Sequence, residues 1–142
     1  MTETTPTTNR FLAHSGARLP IVQAPMGWIA RRQLASAVSN AGGLGIIETS
    51  SGETDNCKAE IEAMADLTAA PFGVNLPILF LRDDAMTRYI CDSGVKFVTT
   101  SAGSPAKFIG PLKEAGIVVY HAVPTVKAAL KAIECGVDGL VV

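Results

Sequence analysis

Apolar residues along the chain fall into two alternating patterns. Short runs rich in Val and Ile, at residues 21–24, 44–48, 72–76, 95–101, 117–122 and 139–142, read as six buried strands. Between them, apolar positions recur three and four residues apart, as they do along one face of a helix. Residues 31–40 carry Leu34 and Val38, residues 56–67 carry Cys57, Ile61 and Met64, and residues 83–91 carry Met86 and Ile90. Residues 105–114 follow with Phe108, Ile109 and Leu112, and residues 125–134 with Val126, Leu130 and Ile133. Ser104 ahead of Pro105 is a good cap before a favoured first-turn residue.

A weak repeat punctuates these segments. Asn40-Ala41-Gly42, Asp92-Ser93-Gly94, Glu114-Ala115-Gly116 and Glu134-Cys135-Gly136 each close a helical segment and lead into an apolar run. The glycine is predicted to supply the left-handed residue that stops the helix. The last three glycines stand 22 and 20 residues apart, the length of one helix, one strand and two short loops. Such alternation predicts a parallel α/β sheet. Five βα units plus a sixth strand fall short of the roughly 250 residues of a (β/α)₈ barrel. The architecture is therefore either an incomplete barrel or an open, doubly wound sheet. Because Gly139-Leu140-Val141-Val142 closes where a strand should still feed a loop and a helix, a truncated chain is expected.

Composition narrows the function classes. Twelve basic against 13 acidic side chains give a charge of −1, which argues against a nucleic-acid or membrane-surface partner. No apolar run approaches the roughly 18 residues of a membrane span. Three widely spaced cysteines without a C-x-x-C pair read as buried free thiols in a reducing compartment. Residues 1–9 hold five threonines and no apolar stretch, so they are not a secretory signal. Residues 1–19 are expected to form a mobile tail and lead-in to a cytoplasmic protein, with residues 20–142 as the folded portion.

In parallel α/β proteins the site lies at the carboxyl ends of the strands. Those ends hold Met26, Glu48, Asn75, Thr100 with Ser101, and His121. Asn75 interrupts an apolar strand; its amide either contacts a heterocycle or forms a turn before Leu76-Pro77. His121, between Tyr120 and Ala122, fits a structural hydrogen bond better than catalysis. Glu48 has no second carboxylate or metal-ligand pattern near it and is expected to cap a helix or hold a loop. His14 is given no role. Ala41-Gly42-Gly43-Leu44-Gly45 follows a helix and opens a strand, the reverse of a phosphate cradle, and is expected to be a helix stop. The chain has no G-x-x-x-x-G-K-[ST], G-x-S-x-G or H-E-x-x-H, which removes the support for triphosphate hydrolysis, esterase chemistry and zinc proteolysis.

Pro20-Ile21-Val22-Gln23-Ala24-Pro25-Met26 followed by Ala41-Gly42-Gly43-Leu44-Gly45 resembles the opening of the nitronate monooxygenase family, formerly 2-nitropropane dioxygenase. Pro71-Phe72-Gly73-Val74-Asn75-Leu76, Ser101-Ala102-Gly103-Ser104-Pro105 and Gly136-Val137-Asp138-Gly139 continue the resemblance in order. It implies the N-terminal portion of an FMN-dependent TIM barrel that oxidises alkyl nitronates with molecular oxygen. Ala24, Pro25 and Met26 would meet the isoalloxazine edge, Asn75 would hydrogen-bond the cofactor, and Ser101 and His121 would face flavin or substrate. Leu79, Phe80 and Leu81 would either wall the pocket or begin a buried helix. The family's usual catalytic histidine is expected after Val142, along with the loops for the FMN phosphate, so no catalytic residue is assigned in this chain. Flavin-dependent enoyl-acyl-carrier-protein reductases share the opening motif and are the competing enzyme reading. A non-catalytic half-barrel, as a fragment or interaction module, is the competing reading of another class. Taken alone, the 142 residues are expected to be inactive, to hold FMN weakly and to self-associate through open sheet edges.

Overall fold

The computed structural model describes residues 9–51, 53–81 and 83–142. The expected tail over residues 1–8 lies outside them. Five strands form one sheet: β1 (Gly45–Ile47), β2 (Phe72–Pro77), β3 (Phe97–Ser101), β4 (Val118–Ala122) and β5 (Gly139–Val141). Their spatial order is β1-β2-β3-β4-β5, and every neighbouring pair is parallel. A doubly wound sheet reverses its strand order at a switch point; this sheet does not, and it has the consecutive order of a barrel.

Each parallel connection requires a crossover, and helices supply it. α2 (Arg32–Ala41) leads into β1, and the crossovers are α3 (Thr54–Glu62) with α4 (Met64–Leu67), α5 (Ala85–Asp92), α6 (Ala106–Glu114) and α7 (Val126–Glu134). The repeat glycines act as expected: Gly42, Gly94, Gly116 and Gly136 all have positive φ just after a helix. Thr125 caps α7 by accepting the Ala128 N–H at 3.2 Å. Asp138 ties β5 to β4, its carboxylate accepting the Val119 N–H at 2.8 Å.

Side chains alternate across the sheet, so its faces build separate cores. Ile47, Val74, Leu76, Val98 and Val119 meet Cys57, Ile61, Met64, Met86, Ile90, Phe108 and Leu112 from the helices. Each such side chain contributes about 1.5–3 kcal/mol on burial. The other, inner face packs Leu44, Ile46 and Phe97 against Ala17, with Phe11 and Leu12 closing the amino-terminal end. Those two belong to a further helix, α1 (Arg10–Ser15), inside the segment expected to be only tail and lead-in. Phe11 meets Phe97 and Tyr120 edge-on at 6.1 and 6.4 Å. His14 joins them, with Nδ1 3.0 Å from the Tyr120 hydroxyl.

Four more expectations need correction. Residues 21–24 are not a strand, because only Val22 bridges to Leu44. Beyond that bridge the Gln23 side chain replaces the backbone ladder: its Oε1 accepts the Ile46 N–H and its Nε2 donates to the Ile46 carbonyl, both at 3.2 Å. Pro25, lacking an N–H, could not extend the ladder in any case. Helix α2 meets the sheet through Ala35, Ser36 and Ser39 rather than Leu34 and Val38. The helix lies so close that a Cβ on Gly45 would stand 2.0 Å from the Ala35 carbonyl oxygen, and only small residues fit. On α7, Val126, Leu130 and Ile133 share the expected stripe but are exposed, while the small Ala132 makes the buried contact. Of the cysteines, Cys57 is buried, whereas Cys91 and Cys135 are only partly so; all three are free thiols.

Candidate functional site at the carboxyl ends of the strands

Register decides which residues share a face. Asn75 lies opposite Thr99, and Thr99 opposite Tyr120; paired residues of parallel strands project to the same side. Val74, Leu76 and Val98 point into the helical layer, so Asn75, Thr99 and Ser101 point to the inner face. One residue beyond the last β1–β2 pair, Ile47↔Val74, Glu48 continues this row next to Asn75.

From Asn75 to Ser101 the row is hydrogen-bonded. Thr99 Oγ1 donates to Asn75 Oδ1 at 2.9 Å, and Asn75 Nδ2 donates to Ser101 Oγ at 3.3 Å. Thr49 Oγ1 donates to the Asn75 carbonyl at 2.7 Å. Asn75 is 95% buried, and these bonds, with Ser101 Oγ also 3.4 Å from Oδ1, hold its amide group in place. An amide has two N–H donors; Ser101 takes one, leaving the other for an acceptor on the inner face. A buried amide held this way, flanked by a partly exposed hydroxyl, suits the mixed donor and acceptor edge of a planar heterocycle.

Next to the row, Ala24, Pro25 and Met26 leave Gln23 in irregular, partly exposed backbone. The loop that follows is anchored by Glu48, which is 1% exposed. Its Oε1 accepts the Trp28 N–H at 3.1 Å and pairs with the Arg31 guanidinium at 3.2 Å. Its Oε2 accepts the Ser50 N–H and hydroxyl, both at 2.6 Å. Glu48 therefore fills the expected loop role. After β2 the chain makes a 3-10 turn, Ile78–Phe80, whose Leu79 and Phe80 are exposed rather than the start of a buried helix.

His121 does not join Asn75 and Ser101. It pairs with Thr100 in the register and shares the helix-facing side with Val119. Thr100 Oγ1 lies 2.8 Å from its Nδ1. Burial pushes its pKa below the ordinary 6.5, although contacts with the backbone of Thr100 and Gly103 pull the other way. The expectation that His121 faces flavin or substrate is corrected by this alternation; it is a buried, hydrogen-bonded structural histidine. Thr99, Arg31 and Trp28 are members of the constellation that sequence reading did not single out. Thr99 has a usable signal, since it shares the two-residue period of Ser101.

Comparison with known proteins gives a consistent picture. Residues 9–88 match the family model for nitronate monooxygenase. Over 127 residues the chain is 34% identical to a (3aS,4S,5R,7aS)-5-hydroxy-7a-methyl-1-oxo-octahydro-1H-indene-4-carboxyl-CoA dehydrogenase from Mycobacterium tuberculosis, covering 89% of this chain and 36% of that protein. A nitronate monooxygenase from Pseudomonas aeruginosa is 45% identical over 69 residues, covering 49% of this chain and 20% of that protein. The solved structure of FabK from Thermotoga maritima superposes with a TM-score of 0.88 at 33% identity, covering 92% of this chain and 42% of that one. The chain thus spans about a third of the length of the dehydrogenase and less than half of the solved structure, with the strand order of a TIM-type barrel throughout.

Proposed function

The chain belongs to the nitronate monooxygenase family of oxidoreductases, and from that premise we propose that it supplies the flavin-edge part of an FMN-dependent enzyme oxidising alkyl nitronates with molecular oxygen. The observation that carries the reading is Asn75, an amide fixed on the inner face by Thr99 and Ser101 with one N–H left for a ligand acceptor. Asn75 and Ser101 would hold the heterocycle, with the backbone and side chain of Ala24, Pro25 and Met26 against its edge. FMN, when bound, supplies the acceptor for the substrate's electrons and their passage to oxygen.

The protein's own residues bind and orient. A nitronate is already deprotonated, so this chain needs no base for it. His121 is not that base, since its ring is bonded to Thr100 on the helix-facing side and burial favours its neutral form. Glu48 brings no free carboxylate to the site, because both its oxygens are occupied. An anionic substrate therefore meets amide and hydroxyl groups rather than an unpaired negative charge.

A single reduction of bound flavin tests the chemistry without turnover. Protein with saturating FMN is mixed anaerobically with propyl-1-nitronate, and separately with NADH and a crotonyl thioester. Loss of flavin absorbance with nitronate alone supports the proposal. Loss only with NADH, followed by reduction of the thioester, supports the reductase reading, and no loss with either supports a non-catalytic half-barrel.

A further inference from the structure

Trp28 sits in left-handed backbone, with φ of 65°. For a bulky side chain this is an outlier that persists only where the surroundings over-determine it. The determinant is Glu48. Its buried carboxylate accepts the Trp28 N–H and pairs with Arg31, while Ser50 occupies its second oxygen through both N–H and hydroxyl. The Arg31 guanidinium also lies 5.5 Å from the indole centroid, covering one ring face. What this clamp displays is apolar and open: Trp28 is 65% exposed and Ile29 63%. A buried, fully satisfied carboxylate that holds a bulky aromatic residue in left-handed backbone is a built feature rather than a loop accident.

Its location identifies the occupant. The loop continues directly from Met26, and Glu48 lies next to Asn75 at the end of the same inner row. Beyond β2, the exposed Leu79 and Phe80 bring a second apolar surface to the carboxyl ends. Resting on the flavin-oxidoreductase reading, we propose that Trp28 is the specificity-determining side chain, taking the hydrocarbon substituent of the reacting carbon against its open face, and that Glu48 positions it. The alkyl chain of a nitronate and the acyl chain of an enoyl thioester share this chemistry.

Trp28 is the single tryptophan of the chain, so its emission reports this loop alone. With FMN at saturation, the protein is titrated with ethyl, butyl and hexyl nitronates, and with butenoyl and octenoyl thioesters. Longer chains should shift the emission to the blue and bind tighter, by up to about fourfold per added methylene. Whichever series shows this dependence identifies the source of the chain. By calorimetry, Trp28→Ala should flatten the dependence to less than about twofold across either series, and Trp28→Phe should restore part of it. Glu48→Gln should shift the free protein's emission to the red and weaken the dependence with the indole still present. Unchanged chain-length dependence in Trp28→Ala, or no dependence in the native protein, overturns the assignment while leaving the flavin reading intact. Failure of FMN to bind the native protein overturns the flavin reading and this assignment with it.

Discussion

Asn75 shows how much one polar residue in an apolar strand reveals and how much it conceals. Its place in Gly73-Val74-Asn75-Leu76 made it a candidate from the sequence alone; what held its amide was invisible, because Thr99 and Ser101 are 24 and 26 residues away. Asn75→Ala leaves the buried Thr99 hydroxyl without its acceptor, and should cost about 1–3 kcal/mol in denaturant unfolding. His121 was equally visible, but its face depends on register, which places it with Val119 and not with Ser101. Its lowered pKa has a definite consequence. The unfolded chain takes up the proton first, so stability is complete above the ordinary value of 6.5 and falls as the pH drops through it toward the folded pKa. Urea midpoints between pH 7.5 and 5 should show this decline, and His121→Asn should reduce it. A decline of equal size in the variant would assign it to other groups.

Among the elements, the helical periods and the glycine stops were legible because 3.6-residue spacing and left-handed turns are local properties. The first predicted strand was not, since Gln23 replaces backbone pairing with side-chain bonds that no periodicity encodes. Leu34 and Val38 misled for a related reason: a helix held near the strand by Gly45 buries its small residues. Gly45→Ala should therefore cost about 3 kcal/mol or more, because the new methyl meets backbone on α2 that cannot yield. Gly110→Ala is the contrasting case. It lies within α6, and apart from its chain neighbours a Cβ there meets nothing within 4 Å; the following Pro111 crowds a side chain on a helical predecessor and offsets the gain in helix propensity, so the substitution should stay within about 1 kcal/mol of the native protein. Thermal melts of the two variants against the native protein check the contrast.

For the molecule as a whole, a parallel α/β sheet was legible in the 20- to 22-residue repeat, and the choice of barrel over doubly wound sheet followed once the consecutive strand order was known. We propose that β5 and the exposed Val126, Leu130 and Ile133 stripe pair with a second copy of the chain. Sedimentation should show a dimer or larger species that Leu130→Lys with Ile133→Lys returns to monomer; an unaltered distribution in the double variant would clear this face. The central claim is that the Asn75 row receives the flavin edge, and FMN titration of the native protein and of Asn75→Ala, followed by flavin absorbance, tests it most directly. The account predicts saturable binding that the substitution weakens about tenfold, the loss of one to two hydrogen bonds to a fixed amide. Equal affinity in the two proteins, or no saturable binding by the native one, would contradict it.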